Sequence, residues 1–214
     1  MLIHIFSSLC NGVESCHRSG IVHRDIKPSN IFLTDGGGLR LMDFSVAADR
    51  GATSMLEGYE DVRIGTLPYS APEQILDPAT ATYETADIYS LGVVLYEMLT
   101  GHIPYYLHDG EDEEAYRLRV PFEAPVPPSA YRPELAPELE AVILKAMSRD
   151  PADRHQSVAE LRDEVEAAFR ASAAREAEPV AETPVLAPAK ARRVLPWLAL
   201  VPLPALLAWI FLAG

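Results

Sequence analysis

Apolar residues return at three- and four-residue steps from the start of the chain, at Leu2, Ile5, Phe6, Leu9, Val13 and Cys16. This spacing predicts an amphipathic helix over residues 2 to about 18, closed by Gly20. The period then shortens. Ile31-Phe32-Leu33 and Leu39-Arg40-Leu41-Met42 are strand-like runs, and Thr34-Asp35-Gly36-Gly37-Gly38 between them is a turn signal, so a β-hairpin is predicted. Residues 85–100 carry the clearest helical pattern: Ile88, Leu91, Val94, Leu95, Met98 and Leu99 form a broad apolar face, and Gly101 ends it. Asp87 lies in the first turn, where the helix dipole favours a carboxylate.

Residues 102–136 are rich in proline, and Glu111-Asp112-Glu113-Glu114 suits the start of a short solvated helix. Pro137 opens a further helix to about Met147, at the position that tolerates proline. Arg149-Asp150-Pro151 closes it. Ser157-Val158-Ala159-Glu160 is a capping box that opens a last helix to about Phe169.

After Arg170 the composition turns to alanine, glutamate and proline, which reads as a flexible linker. Lys190, Arg192 and Arg193 then precede an uncharged run from Val194 to Ala213. About 20 apolar residues cross a bilayer, so a kinked transmembrane helix carrying Pro196, Pro202 and Pro204 is expected over 194–213. The basic flank would place the preceding domain in the cytoplasm. The expected organisation is a domain over 1–170, a juxtamembrane linker over 171–193, and a single membrane pass over 194–213. No signal peptide is expected, because histidine, serine and cysteine interrupt the apolar opening.

The 214 residues, 49% hydrophobic, suffice for one domain with a core and some extra sequence. Lys and Arg number 18 against 31 Asp and Glu, a net charge of −13 that argues against nucleic-acid binding. Cys10 and Cys16 have the spacing of neither a zinc pair nor a redox motif, and read as reduced thiols.

The candidate chemistry lies in His23-Arg24-Asp25-Ile26-Lys27-Pro28-Ser29-Asn30 and in Asp43-Phe44-Ser45, on either side of the predicted hairpin. Because a hairpin folds back on itself, Asp25, Asn30 and Asp43 would gather as oxygen ligands with Lys27 among them. Oxygen donors with open positions suit Mg²⁺, which keeps room for substrate phosphates. A spare carboxylate can take a proton from an attacking hydroxyl, and a lysine can neutralise the transferred group. Together these parts describe phosphoryl transfer.

These two stretches resemble the catalytic loop and the metal-binding motif of protein kinases. Lysine two places after the aspartate is more similar to the serine/threonine kinases than to the tyrosine kinases. The resemblance implies Asp25 as catalytic base and Lys27 as a contact to the transferred phosphate. It implies Asn30 and Asp43 as Mg²⁺ ligands, with ATP as phosphoryl donor and a protein as substrate. Gly65-Thr66-Leu67-Pro68-Tyr69-Ser70-Ala71-Pro72-Glu73 resembles the end of an activation segment and its anchor, with Thr66 approaching Asp25 and Lys27. Thr53 and Ser54 would be phosphorylation sites that Arg24 could pair with. Asp87 would bind backbone of the catalytic loop, and Arg154 would pair with Glu73. Ser45 stands where the family has glycine, a substitution that biases how Asp43 points.

The fold class implied is mainly α: a kinase-like C-terminal lobe with a short β-hairpin, plus the C-terminal transmembrane helix. Such a layout resembles the bacterial receptor-type serine/threonine kinases. No glycine-rich phosphate loop, strand lysine or partnering helix glutamate is found in the sequence. A kinase of this form would take its nucleotide lobe from a partner. The alternatives are a catalytically impaired docking module at the membrane and a piece of a longer kinase.

Overall fold

The first apolar stripe folds as expected into α1 (Leu2–Arg18), which buries Phe6, Leu9, Cys10, Val13 and His17. Gly20 closes it with φ 81°, a left-handed conformation that suits glycine. The chain then forms β1 (Ile21–Val22), β2 (Ile31–Leu33), β3 (Leu39–Leu41) and β4 (Ala48–Asp49). β2 and β3 make the predicted antiparallel hairpin, with Ile31 opposite Leu41 and Leu33 opposite Leu39. β1 pairs antiparallel with β4 in a second two-stranded sheet. Helices α2 (Pro72–Leu76), α3 (Glu84–Thr100), α4 (Glu113–Arg119), α5 (Pro137–Ala146) and α6 (Val158–Ala177) follow. The computed structural model describes residues 1–34, 38–44, 48–49, 67–76 and 84–177.

α3 is apolar on nearly every side, and it is the buried centre of the fold. Every residue from Ala86 to Tyr96 is buried, as is Leu99. α1 and α5 pack on α3, and α6 packs on both α1 and α5. Gly92 sets the approach of α3 to α5: a Cβ there would lie 2.9 Å from the Cβ of Ala146. α6 is tied to α1 by Ser7, which donates to Glu166 at 2.7 Å, and by Arg162, which donates to Asn11 at 2.7 Å.

The acidic run starts α4 as expected, and the Asp112 side chain accepts the N–H of Ala115 at 2.8 Å. At α6 the capping box forms only in part. Ser157 accepts the N–H of Glu160 at 3.1 Å, but the Glu160 carboxylate accepts from Gln156 rather than from Ser157. α6 runs on to Ala177, past the expected end near Phe169, and Arg175 reaches Glu138 at 2.6 Å. Both cysteines are free, and burial pushes the Cys10 thiol far up, so it stays protonated.

The expected transmembrane helix requires correction. Among the described residues no helix is long and apolar enough to cross a membrane. The longest, α6, carries Glu160, Arg162, Asp163, Glu164, Glu166, Arg170 and Arg175 along its length. Residues 194–213 lie outside the described residues, and their sequence holds three prolines, each of which removes a backbone donor from a helix. The fold class is therefore a mainly helical lobe with two small sheets. The expected single-pass membrane location, with a cytoplasmic domain, falls with the helix that carried it.

Candidate functional site

The loop after β1 is pinned by alternating burial: Val22 and Ile26 have their side chains in the core, and the backbone between them is held from α3. Asp87 is fully buried, and its carboxylate accepts the N–H of His23 at 2.8 Å and that of Arg24 at 2.7 Å. His17 lies 2.7 Å from the same carboxylate. Arg24 has φ 69°, a left-handed conformation that costs a non-glycine residue about 1–3 kcal/mol and persists only where the surroundings impose it. They do so from both sides. Its N–H is taken by Asp87, and its carbonyl accepts the amide of Gln74 at 2.9 Å.

This twist presents Asp25, whose side chain is 12% exposed. The two carboxylate oxygens have different surroundings. Oδ2 lies 2.9 Å from Lys27 Nζ and accepts from Asn30 Nδ2 at 2.9 Å. Oδ1 is buried and makes no hydrogen bond among the described residues. Asn30 Nδ2 also donates to the Asp25 carbonyl at 2.8 Å, so its amide hydrogens are both used and its Oδ1 remains as acceptor.

The hairpin brings the second loop alongside. Met42 donates its N–H to the Asn30 carbonyl at 2.9 Å, which extends the β2–β3 pairing to the threshold of Asp43. Asp43 is exposed and also left-handed, with φ 62°. His23 bridges the two loops: its Nδ1 accepts from the Asp25 N–H at 3.3 Å, so its Nε2 carries the proton and donates to the Met42 carbonyl at 3.1 Å. The His23 ring meets Phe44 edge-on at 4.6 Å.

Arg154 forms a two-pronged pair with Glu73, both contacts at 2.7 Å. Its remaining N–H groups go to the carbonyls of Ser148, Thr85 and Arg149, and its guanidinium lies over Tyr89. All five donors of this buried side chain are satisfied.

Lys27 and Asn30 thus both contact Asp25, Asp43 follows the segment bonded to the Asn30 carbonyl, Asp87 holds the backbone of His23 and Arg24, and Glu73 pairs with Arg154. Thr66, Thr53, Ser54 and Ser45 lie outside the described residues. Sequence reasoning missed His17, Gln74 and the pairing of Tyr69 with Glu97, whose carboxylate accepts the phenol at 2.7 Å. Burial, reinforced by Glu97, pushes the Tyr69 phenol well up, so it remains a donor. A polar His17 on the apolar stripe of α1 was the one available signal.

A model of the protein kinase domain matches residues 1–164. A probable serine/threonine-protein kinase of Corynebacterium efficiens is 37% identical over 185 residues, which is 84% of this chain and 27% of that protein. A probable serine/threonine-protein kinase of Streptomyces coelicolor is 39% identical over 159 residues, covering 74% of this chain and 23% of its own. Serine/threonine-protein kinase PknB of Mycolicibacterium smegmatis is 38% identical over 160 residues, 75% of this chain and 25% of the relative. The chain spans about a quarter of the length of the curated relatives it matches.

Proposed function

This chain belongs to the protein kinase family, and from that premise we propose that it carries the phosphoryl-transfer centre of a serine/threonine protein kinase. The observation that carries the reading is the division of labour on Asp25. Lys27 and Asn30 hold Oδ2, while the buried Oδ1 has no hydrogen bond among the described residues. A substrate hydroxyl hydrogen-bonded to the Asp25 carboxylate would give up its proton to it. Its oxygen would form the new bond to the γ-phosphorus of ATP as the bond to the β–γ bridging oxygen breaks and ADP leaves. Lys27, beside Asp25, would carry positive charge to the transferred group.

The donor set fits Mg²⁺. The Asn30 amide oxygen and the Asp43 carboxylate are hard oxygen ligands, and two such ligands leave positions for phosphates. Mg²⁺ when bound would neutralise charge on the phosphates. Thr66 would line the approach of the substrate hydroxyl. Thr53 and Ser54 would be phosphorylation sites read by Arg24.

One further observation supports a docking role within the same reading. Phe32, Leu33 and Phe44 are 51%, 59% and 43% exposed on the hairpin side of the site. An apolar face beside a phosphoryl-transfer centre would seat the lobe that holds the nucleotide, within the whole protein or from a partner. The reading is tested by Mg²⁺-dependent transfer of labelled phosphate from ATP to a protein, using the chain supplied with a nucleotide-binding lobe. Asp43→Ala should abolish it, and transfer that is unchanged in that variant contradicts the assignment.

A further inference from the structure

α2 is capped by one of its own side chains. Ala71 precedes the helix, and Gln74 in its third position reaches back, so that Gln74 Oε1 accepts the Ala71 N–H at 2.9 Å. This is the returning half of a capping box. With the amide oxygen committed there, the amide nitrogen faces the other way, and Nε2 donates to the Arg24 carbonyl at 2.9 Å. Gln74 and Arg24 are both buried, so bulk water cannot replace either partner.

The carbonyl that Gln74 holds belongs to the peptide group joining Arg24 to Asp25. Arg24 is left-handed at φ 69°, and turning that planar group changes the ψ of Arg24 and the φ of Asp25 together. Two hydrogen bonds resist the turn. On the N–H side Asp25 donates to His23 Nδ1 across 3.3 Å, and on the carbonyl side Gln74 donates at 2.9 Å. The shorter bond is the stronger constraint. Asp87 acts one peptide earlier, on the N–H groups of His23 and Arg24. Asp87 therefore sets where the loop runs, and Gln74 sets how the next peptide is turned and how the Asp25 carboxylate lies.

α2 is itself held from the core. Glu73, the neighbour of Gln74, makes the two-pronged pair with buried Arg154, and Ser90 of α3 donates to the Tyr69 carbonyl at 2.7 Å. A shift of α2 would withdraw the Gln74 amide from Arg24.

We infer that Gln74 is a positioning residue for phosphoryl transfer, which makes the aim of Asp25 conditional on the seating of α2. The inference rests on the kinase reading for the step it serves, whereas the linkage from Gln74 to Asp25 does not need catalysis.

The test uses Gln74→Leu and Gln74→Glu in the full chain. NMR of the chain alone reads the linkage: Gln74→Leu should move the backbone amide resonance of Asp25, and an unmoved resonance overturns the inference. With a nucleotide-binding lobe supplied, Gln74→Leu should lower kcat about tenfold, the worth of one buried hydrogen bond, at unchanged KM for ATP. Gln74→Glu separates the bond from packing. An ionised carboxylate there would repel the Arg24 carbonyl, whereas a protonated one donates to it as the amide did, and burial favours the protonated form. The kcat of Gln74→Glu relative to the parent should therefore recover as pH falls from about 9 to about 6. Unchanged kcat in both variants, or a deficit in Gln74→Glu that ignores pH, overturns the inference. If Gln74→Leu does not fold, the pH course of Gln74→Glu decides alone. A parent assembly that transfers no phosphate, in a chain whose Asp25 resonance does respond to Gln74→Leu, counts against the kinase reading alone.

Discussion

Asp87 holds Arg24 in a left-handed backbone conformation by accepting its N–H at 2.7 Å, from a carboxylate fully buried in the first turn of α3. The same carboxylate accepts the N–H of His23 and pairs with His17. The direction in which Asp25 points is therefore set from the core helix rather than by the loop itself.

Asp87→Ala removes the acceptor of three buried donors at once. Breaking a buried charged network of this kind costs about 3–5 kcal/mol, and urea unfolding should show a loss in that range. A loss below about 1 kcal/mol would mean that the loop is held elsewhere.

Glu73→Gln leaves the Arg154 guanidinium buried with one oxygen partner lost. The expected cost is about 3 kcal/mol or more. Arg154→Lys should be damaging too, because a lysine cannot reproduce a fork whose five donors are all engaged. A double-mutant cycle should give a coupling of at least about 1 kcal/mol between the two positions. Additive effects would show the pair to be energetically idle.

Gly92→Ala tests the helix contact at the core. Alanine improves intrinsic helix propensity by about 1 kcal/mol. However, its Cβ would lie 2.9 Å from Ala146 Cβ and 3.0 Å from Met147 Cγ. Met147 can yield, whereas Ala146 moves only with α5. Overpacking costs about 1–3 kcal/mol, so the variant should be net destabilised, and thermal melting should show a lower midpoint. A raised midpoint would place α5 farther from α3.

The pH dependence of stability should carry a signature of His155. Burial holds its imidazole below the ordinary value, against the opposing pull of Glu164 at 3.0 Å. Its Nδ1 is buried without a hydrogen bond among the described residues. The unfolded chain takes up a proton near pH ~6.5 while the folded chain resists it, so the unfolded state binds more protons as pH falls. This contribution is full above about pH 6.5 and is lost as pH drops through the folded value. The urea midpoint should therefore fall on acidification, less steeply in His155→Gln, and an NMR titration of His155 should show a depressed pKa. A titration at or above the ordinary histidine value would refute the assignment.

Much of the fold was legible because the stripes of α1 and α3 have a clear period, because Pro137 marks the start of α5, and because Thr34–Gly38 announces the hairpin. The contact of Asp25, Lys27 and Asn30 was legible from motif order, since eight consecutive residues have few ways to arrange three polar side chains around one turn. β1 and β4 were not, because two residues apiece carry no period. The extension of α6 to Ala177 depends on tertiary contacts such as Arg175 with Glu138. His17 and Gln74 act through partners 70 and 50 residues away, which no local pattern encodes. The membrane helix was read from apolar length and basic flanks alone, and the structure supplies no such helix among the described residues.

The most direct test of the central claim is the rate of phosphate transfer from ATP to a protein serine or threonine. It compares the chain supplied with a nucleotide-binding lobe and the same assembly carrying Asp25→Asn. Asparagine keeps the size of the side chain but cannot take the hydroxyl proton. General-base catalysis contributes about 10²–10⁴-fold, and a fall in kcat of that order, with ATP binding retained, is the predicted result. Unchanged kcat in Asp25→Asn would contradict the account.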